Sequence, residues 1–315
     1  MAQTRLWYPQ EGTVTRFGFE DHFDKAMNDI KLRVDRVPMV NGQFFTEDDE
    51  KTNTYKMSTR GNEMALPIVT QDTSVRPFDQ QPPGYSKTLT IVPYSMAVKI
   101  TKEIVGMDLK GTIQHDMMSG LPTGLKRLLE YAMANVINTG AATAGADGSF
   151  IFGNDHYNED ASSGTWSNLE TAVALSPSSV ATMRRNMRKR KNARGHFMGI
   201  KMTKLMTGID LMDEAWSIVN SKRTSNDSLN GESSIYKAFD LVVNDYMTDS
   251  NAFAGWGDLP ESMWGFHAAF RDRPVVESLG YPSPEYPRIV KGFYSFVAFV
   301  VGASQAKNMH WNVGA

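Results

Sequence analysis

The stretch from Thr46 to Lys87, TEDDEKTNTYKMSTRGNEMALPIVTQDTSVRPFDQQPPGYSK, constrains the fold more than any other. It carries four prolines (Pro67, Pro77, Pro82, Pro83) and two glycines (Gly61, Gly84), with too little apolar material to build a core of its own. A compact domain rarely tolerates so long a connection unless the segment is functional or disordered. TLTIVPYSMAVKI, which follows, alternates like a strand, and Tyr55 to Ser58 reads as the strand opposite it. A long two-stranded excursion over residues 46–90 is expected.

Before it, residues 1–45 form an arm rich in aromatics (Trp7, Tyr8, Phe17, Phe19, Phe23) with one helix near His22 to Val34. After it the period changes. KEIVGMDLKGTIQHDMM reads as a helix interrupted around Gly120 and Pro122. Leu125, Leu128, Leu129, Ala132, Met133, Val136 and Ile137 then recur at spacings of three and four, one stripe of a long helix that Gly140 ends. Ser176 and Pro177 suit the cap and first position of another helix with the stripe Val180, Met183 and Met187, and Gly195 is expected to stop it. HFMGIKMTKLMTG reads as a strand. Asp210 is expected to cap a short helix, with Asp213 and Glu214 in its first turn and Leu211, Ala215, Trp216 and Val219 facing inward. FDLVVNDYM, NAFAGWGDL and the stretch from Met263 onward read as strands. FYSFVAFVVGA, the longest nearly apolar run, is too short to span a bilayer and reads as a buried strand. No membrane or secretion signal is read from the chain.

The chain is 315 residues long with a formal charge of −2, and it has no cysteine, which removes thiolate chemistry and Cys-based zinc sites. No Walker, G-x-G-x-x-G, G-x-S-x-G or H-E-x-x-H pattern occurs. The six histidines are widely scattered, so no metal or cofactor is expected. Asp155 and His156, beside Glu159 and Asp160, are the best acid–base candidates, but a solvated turn-rich loop accounts for them more simply. The 19 methionines, among them Met57, Met64, Met183 and Met187, suit core gap-filling, with adaptable interfaces as the sharper alternative.

Charge is segregated. No acid lies between Thr171 and Ile209, where MRRNMRKRKNARG dominates, while Glu47, Asp48, Asp49 and Glu50 form the densest acidic block. Arg184, Arg185, Arg188 and Lys191 fall on the wet side of the Ser176 helix. Three readings stay open for them: a solvated face, a site for an acidic partner or a neighbouring copy, or direct phosphate binding.

The order of these features, from arm and polar hairpin through YSMAVKITKEI and a long helix to RKNARGHFMGIKMTKLMTGIDLMDEAWSIVNS and late strands, resembles the major capsid protein of tailed bacteriophages. FGNDHYN is similar to a loop such proteins often carry. The resemblance covers nearly the whole chain. It implies an α+β Hong Kong 97-type fold: N-terminal arm (1–45), E-loop hairpin (46–90), peripheral domain with a spine helix (91–150 and 263–315) and axial domain (151–262). It implies a non-enzymatic subunit that assembles as hexamers and pentamers into an icosahedral virion shell around double-stranded DNA, contacted without sequence preference. Separate scaffolding, portal and decoration proteins are further expected partners. Contacts between copies are expected at Glu47, Asp48, Asp49, Glu50, Tyr55, Lys56, Arg60, Arg76, Arg184, Arg185, Arg188 and Lys191. Some relatives crosslink Lys to Asn. Lys56 and Lys87 lie in the hairpin, but no Asn partner is identifiable and no crosslink is expected. The alternatives are an encapsulin-like compartment, or a nucleic-acid-binding protein acting through residues 184–194.

Overall fold

The structure, a computed structural model, describes residues 40–59, 84–101, 112–158, 164–171, 173–192, 194–222, 235–258, 265–278 and 289–314. The N-terminal helix near His22, and Met64, Arg60, Arg76, Glu159 and Asp160, lie outside these residues.

The long helix, α1, runs unbroken from Thr112–Asn138. Its stripe is as expected: Leu125, Leu129, Met133 and Ile137 are buried, with Leu128, Ala132 and Val136 packed at the edge of the same core. The expected interruption is absent, since the helix passes through Gly120, Pro122 and Gly124. Pro122 withholds one N–H, but Leu121 and Pro122 are buried, and that packing offsets the lost bond. Gly140 closes the helix where a Cβ would stand 2.5 Å from the Phe152 ring.

Two sheets flank this helix. The first has the order β1 (Phe45–Asp49), β11 (Phe266–Ser278), β12 (Ile289–Ala303) and β4 (Val92–Thr101). Its first pair is parallel and the others are antiparallel. The FYSFVAFVVGA run lies within β12. The second sheet has the order β7 (Leu169–Thr171), β13 (Met309–Val313), β10 (Phe253–Asp258), β8 (Lys201–Thr207) and β9 (Asp240–Val243).

Alternation along the second sheet serves two cores. Met206 and Ala254 join the core beneath α1, while Leu205 and Phe253 face a second core. That second core is closed by α2 (Pro177–Arg188) and α3 (Met212–Asn220). Met183, Met187 and Met202 fill it, which is the packing role of methionine.

The caps refine the helix ends. Ser176 Oγ accepts from Ser179 N, and Ser179 Oγ lies 2.9 Å from Ser176 N, a reciprocal box with Pro177 at the first position. Helix α2 stops at Arg188, not at Gly195. Gly195 instead sits at φ +80° in a turn, where Asn192 Oδ1 accepts from Arg194 N and His196 N. Helix α3 is capped by Leu211 with no side-chain bond, so Asp210 does not cap it. Trp216 is 62% exposed. The buried stripe of α3 is Ala215, Ile218 and Val219, and Trp216 lies about 100° round from Ala215.

The polar excursion begins as the expected hairpin. β2 (Thr54–Ser58) pairs antiparallel with β3 (Ser86–Thr90). Tyr55 and Met57 seat its base against Ala269, with Leu89 and Val300 alongside. Asn41 then ties the entering chain to α1. Its backbone N–H donates to Glu130 Oε2 at 3.0 Å, its Nδ2 to the same atom at 2.8 Å, and Asn244 Nδ2 donates to Asn41 Oδ1 at 2.9 Å.

Candidate functional site

The acidic block is strand β1, so its side chains divide by parity. Glu47 and Asp49 share one cation: Arg273 Nε donates to Asp49 at 2.8 Å and its Nη1 to Glu47. These carboxylates hold the Arg273 guanidinium above its ordinary value, the Asp49 bond contributing most. Asp48 points the other way. It accepts from the Tyr55 hydroxyl and lies 3.1 Å from His267 Nδ1. Burial, followed by Asp48, pushes the Tyr55 hydroxyl well above its usual range. Glu50 donates its backbone N–H to Phe270 O, and Lys56 is exposed.

The basic run divides as well. Arg185 and Arg188 are exposed and Arg184 is half-buried. Lys191 is exposed and stands 5.4 Å from the Phe197 ring centroid. Arg190 is different: it is 3% exposed and inside the molecule. Its Nη1 donates to Lys307 O and to Met309 O at 2.9 Å, and its Nη2 lies 3.0 Å from His310 Nδ1. Burial pushes its guanidinium down to about 9. The helical reading put Arg184, Arg185, Arg188 and Lys191 on the wet side and gave Arg190 no role. The signal was present, because the stripe Val180, Met183, Met187 continues by three residues to Arg190.

Asp155 and His156 do not form an acid–base pair. Asp155 is exposed, whereas His156 is fully buried. The His156 Nδ1 lies 2.8 Å from Asp147 Oδ2 and its Nε2 lies 3.1 Å from Asn168 Oδ1. Its ring stacks on Trp166 at 4.3 Å. A solvated loop is therefore also the wrong description of His156. It is a fully bonded anchor with no solvent face for substrate.

Near it, Glu170 Oε1 stands 3.6 Å from His310 Nε2, an ion-pair separation longer than a hydrogen bond, and accepts from Asn186 Nδ2 at 2.6 Å. The neighbouring His310 holds the Glu170 carboxyl below its ordinary range. Burial lowers His310, and the Arg190 charge lowers it further against the pull of Glu170. Among the described residues no cluster of three or more His, Asp or Glu side chains suits a metal ion, and no helix is long and apolar enough to cross a membrane.

No protein-family model matches the chain, and no curated protein matches it. Solved structures do match. The capsid of a native GTA particle is 10% identical, covering 88% of this chain and 91% of its own, with a TM-score of 0.53. A chain of Microbacterium phage Oxtober96 is 13% identical over 87% of this chain and 90% of its own, at 0.51. The holo-SrpI encapsulin of Synechococcus elongatus PCC 7942 is 8% identical over 88% and 87%, at 0.50. The architecture is thus one found in protein shells. It is the Hong Kong 97-type fold of capsids and encapsulins, extending over most of the chain.

Proposed function

We propose that this chain is the structural, non-enzymatic subunit of an icosahedral head shell that encloses double-stranded DNA. The observation that carries this reading is the likeness to a capsid chain across nearly all of both molecules. Element order supports it further: on this reading the β2–β3 hairpin is the base of the E-loop, α1 the spine helix, and residues 151–262, which supply β7 to β10, the axial domain, while β13 from the 263–315 segment completes their sheet. On this reading copies of the chain assemble as hexamers and pentamers. Separate scaffolding, portal and decoration proteins complete the particle, and the shell meets packaged DNA through phosphate charge without reading sequence.

Contacts between copies are proposed at Lys56, Arg60, Arg76, Arg184, Arg185, Arg188 and Lys191, and at the acidic strand Glu47 to Glu50, whereas Tyr55 is taken up within the chain. Arg273 already engages Glu47 and Asp49, so these acids act between copies by sharing that cation. The encapsulin likeness, equal in extent, supports a second reading in which the shell holds protein cargo.

Electron microscopy of the purified protein, with mass per particle and nuclease-protected content, tests both. Closed shells with protected DNA are expected from cells carrying the complete particle genes. Shells holding protein and no nucleic acid would favour the compartment, and stable monomers under every assembly condition would refute both.

A further inference from the structure

Arg190 borders a cleft of about 440 Å³ between β6 (Thr165–Trp166), β7, the end of α2 and β13. Trp166, Glu170, Lys189, Lys191 and His310 also line it. Two buried N–H groups on these residues, Trp166 Nε1 and Arg190 Nε, find no acceptor among the described residues, and His310 Nε2 has only the Glu170 carboxylate, 3.6 Å away and beyond hydrogen-bond length. The His310 assignment follows from its neighbour, because Nδ1 faces the Arg190 donor at 3.0 Å and must accept, which leaves the proton on Nε2.

Charge leans the same way. Arg190, 3% exposed, makes no ion pair among the described residues. A buried cation without a counter-charge is costly, and so is each buried donor without an acceptor. One small anion with several acceptor oxygens satisfies both. A nucleobase does not fit the same demand. Trp166 already stacks on His156 and takes Arg190 against its ring at 5.3 Å, so it offers its N–H, not a stacking face.

We propose that this cleft is an oxyanion site that takes a phosphate group, bound by Trp166, Arg190 and His310, with the exposed Lys189 and Lys191 at its mouth. Glu170 is the opposing charge that weakens it. The site is separate from the exposed arginines of α2 and does not depend on whether the chain builds a shell.

The test is calorimetric titration and thermal unfolding of the full chain with inorganic phosphate, against chloride at equal ionic strength. Saturable binding with a rise in Tm is expected. Because Arg190 also supports the fold, the informative variants lie at the rim. Glu170→Gln should tighten phosphate binding and a Lys189→Gln/Lys191→Gln pair should weaken it, each by about fivefold, the scale of one or two screened charge contacts. Competition by a thymidylate trinucleotide would assign the phosphate to a nucleic-acid backbone. Phosphate binding that the trinucleotide leaves untouched would assign it to a free ion. A response to phosphate no larger than to chloride, or one that both rim variants leave unchanged, overturns the proposal.

Discussion

The acidic strand and the basic run have opposite fates, though each is a dense block of one charge. On β1 the two-residue period sends Glu47 and Asp49 to an exposed guanidinium and Asp48 to the Tyr55 hydroxyl, so three of the four acids have partners within the chain. On α2 the 3.6-residue period leaves Arg185 and Arg188 in water, and the turn after the helix carries Arg190 under Trp166. A charge run is therefore not a surface until its secondary structure is known. Where exposed ions pair, little stability is at stake. Where one cation is buried, a whole neighbourhood depends on it.

Substitutions measure that contrast, beginning with the largest effect. Arg190→Ala should cost about 3 kcal/mol in urea denaturation, because it empties a buried site and strips donors from two backbone carbonyls. Arg188→Ala should stay within about 0.5 kcal/mol. Equal costs would break the comparison.

Acid should act next, at the Glu170–His310 pair. Glu170 is depressed, so its contribution is present above the ordinary carboxylate range and is lost as pH falls through it. His310 is depressed below 6.5, so under acidification the unfolded chain takes its proton first and folding weakens from there downward. Urea midpoints from pH 6.5 to pH 4.5 should fall more steeply in Glu170→Gln than in the wild type, because the variant removes the carboxylate that pulls His310 upward. Parallel curves would mean that the pair carries no linkage.

Asp48→Ala follows, at about 1 kcal/mol in the same denaturation, since it leaves the Tyr55 hydroxyl without its carboxylate acceptor. The smallest effect belongs to Arg273→Gln. It should cost less than about 1 kcal/mol at low salt and almost nothing in molar salt, where exposed charges are screened. A salt-independent loss there would show that the strand pair is not governed by exposed electrostatics.

Periodicity made much of the fold legible. The stripe of α1, the Ser176 cap with Pro177, the β2–β3 pairing and the burial of FYSFVAFVVGA are all local patterns, and local patterns are what a sequence displays. The readings that failed depended on tertiary context. Gly120 and Pro122 look like a helix break until burial around Leu121 outweighs the lost bond. Trp216 looks like core by its size alone, but the face of α3 is set by where Leu205 and Phe253 stand. The site was less legible still. Arg190, His310 and the Trp166–Glu170 pair come from three separate stretches, and no short motif joins residues that only the fold brings together.

The strand order also sets a schedule. In the first sheet β1 and β4, both complete by residue 101, form the two outer positions, while the central β11 and β12 come from residues 266–303. In the second, β13 at 309–313 must enter between β7 and β10, both made earlier. A nascent chain thus emerges holding the margins of one sheet and a gap in the other. The core beneath α1 cannot close until β11, β12 and β13 have been made, whereas the second core, drawn from residues 175–253, is complete in sequence well before them. The two cores are thus unequal: one can form on a growing chain, and the other must wait for its central strands.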